Sequence, residues 1–137
     1  MLARTDRISV AAAATPGESS GAGLSDLIVS AVDQTTEEMS IEYGTACETT
    51  SNNVYYGRLD QVASHAYSGE ECNIGTGGSY SGFNPGAGDS FFFLVVGTKG
   101  ADEGSYGKDN QSGTQNERPD FAANLCGQLQ TLADRCD

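Results

Sequence analysis

The chain holds one histidine, His65, so any Ser-His-Asp or Cys-His site would have to be built on it. No nucleophile-elbow pattern accompanies it. On the strand-like piece Ser64-His-Ala-Tyr-Ser, His65 reads as a surface or pocket residue rather than a catalyst. The run Asp109-Asn-Gln-Ser-Gly-Thr-Gln-Asn-Glu117 has the outline of a calcium loop. Gln111 stands where that motif needs Asp or Asn, however, and the Gly-to-Glu spacing is wrong, which leaves an exposed polar loop. Thr35-Thr-Glu-Glu-Met could offer carboxylates to a weakly held cation, but a solvated charge cluster is the commoner meaning of such a run. Gly77-Gly78 and Gly86-x-Gly88 are turn glycines, since neither follows a strand and opens a helix as a phosphate loop must. Asn110-Gln-Ser112 is a glycosylation sequon, which matters only where the machinery exists. The expectation is a protein without catalytic residues, metal or cofactor.

Cysteine and tyrosine are the other chemically capable residues. Cys47, Cys72, Cys126 and Cys136 are an even set with no CxxC pair, and one histidine is too little to complete a zinc site with them. Disulfides are the favoured reading, and sequence alone leaves every pairing open. Locality favours Cys47 with Cys72 and Cys126 with Cys136. The second pair carries a condition, because a straight helix between them would hold them ~15 Å apart, beyond disulfide reach, unless it breaks at Gly127. Tyr43, Tyr55, Tyr56, Tyr67, Tyr80 and Tyr106 could form a sugar-stacking or adhesive face, tyrosine being apolar with a polar edge. Core and cross-strand packing is the blander explanation for tyrosines on alternating strands.

The elements that must position these residues follow from patterning. The 137 residues suit about one domain, and 18 Gly with 37% apolar residues fits a loop-rich all-β protein. The longest apolar run, Ser90-Phe-Phe-Phe-Leu-Val-Val-Gly-Thr-Lys99, predicts a central strand covered on both faces. Gly100 and the polar residues after it predict a hairpin into an exposed partner strand. Asp26-Leu-Ile-Val-Ser-Ala-Val, Glu38-Met-Ser-Ile-Glu-Tyr-Gly, Asn53-Val-Tyr-Tyr-Gly-Arg-Leu and Gly78-Ser-Tyr-Ser-Gly-Phe are further strand candidates. Beyond Pro119, Phe121, Leu125, Leu129 and Leu132 recur at helical intervals, with Asp120 placed to cap, and predict a short C-terminal helix. The expected organisation is an N-terminal arm or linker over 1–23, a β-sandwich over 24–119, and a helix with its cysteine pair over 120–137.

Charge narrows the partners. A net charge of −12 repels phosphate backbones and anionic membranes, so nucleic acid is not an expected partner. No segment reaches the roughly 20 apolar residues needed to span a bilayer. The start, Met1-Leu-Ala-Arg-Thr-Asp-Arg, has charge but no long apolar core after it, so if the protein is secreted its signal is missing here. The arm passes from Arg7-Ile-Ser-Val-Ala into Ala- and Gly-rich linker composition. Ordering such an arm costs roughly 1 to 2 kcal/mol per residue, and a neighbouring copy is one source of compensating contacts.

Several of these residues together carry a resemblance. Cys47, Val54-Tyr-Tyr-Gly-Arg-Leu, Cys72, Gly86-Ala-Gly-Asp-Ser-Phe-Phe-Phe-Leu-Val-Val, Glu103-Gly-Ser-Tyr-Gly-Lys-Asp and Glu117-Arg-Pro resemble a fibronectin type III-like module. The version they look most like is found in secreted and surface proteins of myxobacteria and related bacteria. The similarity covers residues 24–119, and its most specific part is the final hairpin. The chain departs from the pattern in lacking Trp, and Tyr43 is the residue placed to fill that core position. The resemblance implies an antiparallel fibronectin- or immunoglobulin-like sandwich in an extracellular or cell-surface bacterial protein. Such modules act as spacers, adhesive units or assembly surfaces, a choice that fold alone does not make.

Two functional expectations follow. In the first, the chain is a non-enzymatic structural subunit of a surface polymer or pilus-like filament. Its arm, through Arg7, Ile8, Val10 and Ala12, would add to a neighbour's sheet. In the second, it is a monomeric carbohydrate- or protein-binding module whose recognition surface comprises Tyr55, Tyr56, Tyr106, Asp102 and Glu103.

Overall fold

The computed structural model describes residues 27–86, 90–109, 116–120 and 126–133. The arm residues Arg7, Ile8, Val10 and Ala12, the sequon at Asn110, the helical positions Phe121 and Leu125, and Cys136 lie outside the described residues. The chain opens with β1 (Ile28–Val32), β2 (Met39–Glu42) and β3 (Ser51–Arg58). A 3-10 turn over Leu59–Ser64 leads to β4 (Gly69–Glu71), β5 (Ser79–Phe83) and β6 (Phe91–Lys99). The short strands β7 (Asp102–Glu103), β8 (Lys108–Asp109), β9 (Asn116–Glu117) and β10 (Leu129–Gln130) complete it.

The apolar run forms β6, which pairs antiparallel with β3 from Arg58↔Phe91 to Ser51↔Thr98 and with β7 on its other side. Side chains alternate across a strand, so the two faces of this ribbon build separate cores. Val54, Tyr56, Phe93 and Val95 face Ile41, Tyr43 and Phe83 of the other sheet. Tyr55, Leu94 and Val96 pack on the opposite face with Tyr67 and Tyr106. Both faces of the central strand are thus covered, which is why its sequence reads as a continuous apolar block.

Two sheets therefore lie face to face in an all-β, sandwich-like arrangement. One has the order β1-β2-β5 and the other β10-β7-β6-β3-β4, while β8 and β9 pair separately. In β2, Ile41 and the following Tyr43 are buried and Met39 is half-buried, as the alternation predicts. Tyr56 closes edge-on against Phe83, with ring centroids 5.2 Å apart, and Phe83 meets Phe93 at 6.0 Å. With tyrosine and phenylalanine rings meeting between the sheets, the core needs no tryptophan.

Three expectations are corrected. Ser64-His-Ala-Tyr-Ser is not a strand: residues 59–64 form the 3-10 turn, and His65 closes it in the left-handed region at φ 53°. The partner strand of β6 is not simply exposed, since Asp102 is exposed but Glu103 is fully buried. The C-terminal helix does not occupy its described positions, where Leu129 and Gln130 form β10, parallel to β7. The open side of β7 supplies the backbone partners that a helix would have found internally. Leu129 donates its N–H to the Ala101 carbonyl at 3.0 Å, and Thr131 donates to that of Glu103 at 2.8 Å. Leu129 is itself exposed, so the leucine spacing does not mark a buried face.

Close backbone approach fixes one glycine. A Cβ on Gly57 would collide with the Ala66 carbonyl oxygen and lie 2.8 Å from the Phe92 ring. Gly57→Ala is expected to lower stability by about 1 to 3 kcal/mol, as overpacking does, measurable as an earlier urea midpoint with an unchanged slope.

Candidate functional site

Two features stand out on this frame: a buried polar cluster at β7 and an apolar open edge at β1. The cluster begins with the turn after β6, where Gly100 takes φ 64° and brings Glu103 against the aromatic face of β3. There the Glu103 carboxylate accepts hydrogen bonds from the Tyr55 hydroxyl, the Asn53 side-chain amide and, at 2.6 Å, the Tyr106 hydroxyl. The same Tyr106 oxygen lies 3.1 Å from Asp120 Oδ1, and Asn53 Nδ2 lies 3.2 Å from Gln128 Oε1. Burial raises the Glu103 carboxyl above the ordinary carboxylate range despite its three donors, with Asp120 adding to the shift. Burial likewise pushes the Tyr55 and Tyr106 hydroxyls up, and that of Tyr67 to about 12.

A second carboxylate staples the neighbouring loop. Glu117 Oε1 accepts from Ser105 Oγ at 2.7 Å, from the Tyr106 N–H at 2.8 Å and from Gln130 Nε2 at 3.2 Å. Arg118 N–H donates to the Gly107 carbonyl at 2.9 Å, where Gly107 sits at φ 82°. The residues Glu103-Gly-Ser-Tyr-Gly and Glu117-Arg thus form one hydrogen-bonded clasp. The same Asn53 side chain accepts from the Asn73 N–H on Oδ1 at 2.8 Å, and its neighbour Asn52 donates from Nδ2 to the Gly75 carbonyl at 2.7 Å. Buried polar groups satisfied in this way hold loops in one arrangement, so the cluster is a structural clasp.

The recognition surface expected at Tyr55, Tyr56, Tyr106, Asp102 and Glu103 is accordingly not a surface. Tyr55, Tyr106 and Glu103 are buried, Tyr56 is half-buried against Phe83, and Asp102 alone is exposed. All six tyrosines are buried or half-buried, as core packing predicts and a stacking platform does not. A cleft of about 180 Å³ lined by Leu27, Tyr43, Phe93, Tyr106 and Arg118 opens beside the clasp. It falls below the roughly 300 Å³ at which small-molecule sites begin.

The cysteine pairing is also corrected. Cys72 bonds to Cys126 across 54 residues, with Cα atoms 5.5 Å apart, which excludes both Cys47–Cys72 and Cys126–Cys136. Cys47 is likewise disulfide-bonded. Locality misled because β4 and the entry to β10 lie at opposite edges of one sheet in the strand order, and only the tertiary path brings these cysteines together. Glu70 lies within 4.8 Å of both sulfurs, but sulfurs bonded to each other are not the thiolates that metal binding needs. His65 is half-buried at the end of its turn.

The open edge is built differently. Asp33 begins a tight turn after β1: its Oδ1 accepts from the N–H groups of Thr35 and Thr36 at 2.7 and 3.3 Å, which holds its carboxyl below the ordinary range. The turn closes through the Asp33 N–H on the Glu38 carbonyl at 2.7 Å. The suggested cation-binding carboxylates of this stretch therefore belong to a hairpin. β1 then pairs with β2 from Val32↔Met39 to Ile28↔Glu42, with an irregularity between Val29 and Ala31. Its other side has no strand among the described residues. Ile28, Val29 and Val32 remain 51%, 40% and 57% exposed, and the strand Ile-Val-Ser-Ala-Val contains no charge or proline. Natural edge strands usually carry such residues to prevent pairing with other chains.

Compared with known proteins, the chain matches no family model, and no curated protein or solved structure is significantly similar to it.

Proposed function

We propose that the chain is a non-enzymatic extracellular module that assembles with copies of itself into a surface filament through its N-terminal arm. The observation that carries this reading is β1, an uncharged, exposed apolar edge that leads directly from the arm. The disulfide between Cys72 and Cys126 supports an oxidising compartment. No helix among the described residues is long and apolar enough to cross a membrane. The strand partition supports a fibronectin type III-like identity. The first, second and fifth strands share one sheet, and the third, sixth and seventh share the other, as in immunoglobulin-like sandwiches. The alternative, a monomeric glycan- or protein-binding module, loses its tyrosine platform to the core.

Light scattering with negative-stain microscopy on never-denatured protein tests the reading. Long particles are expected. A monodisperse particle of 14.2 kDa, the mass of one chain, would sink it.

A further inference from the structure

We infer that the receiving site for the arm is the β1 edge of the next copy, which the segment around Arg7–Ala12 joins as an antiparallel strand. This rests on the assembly reading and names its second surface. The edge is five residues long and mostly apolar, with a register shift between Val29 and Ala31. Its two ends differ in charge density: Asp33, Glu37 and Glu38 follow Val32 in the hairpin, while the Ile28 end has Glu42 opposite it and Asp26 two residues earlier in the sequence.

The occupant must bring alternating apolar residues and positive charge. Two copies of β1 meeting antiparallel would set the acidic hairpin of each beside the Glu42 end of the other, acid against acid in a chain already at −12. The arm is the exception within the chain. Residues 1–17 carry Arg4, Arg7 and Asp6, and Ile8, Val10 and Ala12 alternate with Ser9 and Ala11. Antiparallel addition sets Arg7 at the acidic hairpin and Ala12 at the Ile28 end; parallel addition would reverse that match. Residues 13–26 can extend up to ~45 Å, enough to cross from one sandwich to another. Because donor and acceptor are different surfaces, the contact is head-to-tail and does not close on itself.

The test separates donor from acceptor. One variant lacks residues 1–20. The other carries Ile28→Lys with Val32→Lys, two positions more than half exposed, so far-UV circular dichroism should be unchanged. Each alone is expected to stay at the mass of one chain. Mixed one to one, they should give a complex of twice that mass, because the arm of the lysine variant enters the intact edge of the truncated one. A mixture that stays monomeric overturns the inference. Long particles from the lysine variant alone also overturn it while leaving the assembly reading standing, since the arm must then dock elsewhere. Monomeric full-length protein overturns the assembly reading. If removing the arm then speeds amide exchange in β1, the arm closes on its own edge.

Discussion

Glu103→Ala is expected to destabilise the protein by about 3 to 5 kcal/mol, the usual cost of removing one partner from a buried charged network. Truncation leaves the Tyr55 and Tyr106 hydroxyls and the Asn53 amide facing a cavity instead of a carboxylate. Glu103→Gln should behave quite differently. An amide oxygen can accept from Tyr55 and Asn53, and an amide nitrogen can donate to Tyr106, whose hydroxyl then turns to Asp120.

The pH dependence has a definite sign. The folded carboxyl is raised above its unfolded value, so the folded state binds the proton more tightly. The stability this contributes is fully present below the unfolded pKa and is lost as pH rises through the folded one. The exposed carboxyls of Asp33, Glu48 and Asp60, all lowered, act in the opposite sense. The difference between wild type and Glu103→Gln removes their contribution. The glutamine variant should therefore gain stability relative to wild type as pH rises from acid towards neutrality, read from urea titrations at each pH. A difference that does not vary with pH would show that Glu103 titrates alike in the folded and unfolded chains.

Replacing Cys72 and Cys126 by Ser should cost about 4 kcal/mol, the loop-closure entropy of a bond spanning 54 residues. For 137 residues this lowers the melting temperature by roughly 14 °C. The loss should begin locally. β10 is held to β7 by two residues of parallel pairing, so without the bond the amides of Leu129 and Thr131 should exchange before those of β3 and β6. Simultaneous exchange across both would mean that β10 is cooperative with the main sheet without help from the disulfide.

Much of the fold is legible in the residues because it depends on local periodicity. The unbroken apolar block at 91–96 implies a strand covered on both faces, and the alternation of Met39, Ile41 and Tyr43 implies one covered on a single face. Both are consequences of side chains pointing to opposite sides of a pleat. The leucine spacing beyond Pro119 was misleading because periodicity does not register an open sheet edge that offers hydrogen bonds to whichever segment reaches it. The tyrosines showed their type but not their direction: Tyr55 and Tyr56 are neighbours, yet one joins the Glu103 cluster and the other the core between the sheets. A glutamate in a glycine-rich hairpin reads as exposed, and only the approach of β3 reveals Glu103 as the acceptor for three donors.

By itself, then, the sequence determined the all-β class, the central strand, the net acidity of the chain and the uncharged character of its first strand. These are properties of composition and near-neighbour pattern. The tertiary structure alone decided which cysteines meet, which carboxylate is buried and which strand is left at an edge. Each depends on residues tens of positions apart being brought within a few ångströms, a distance that no local pattern encodes.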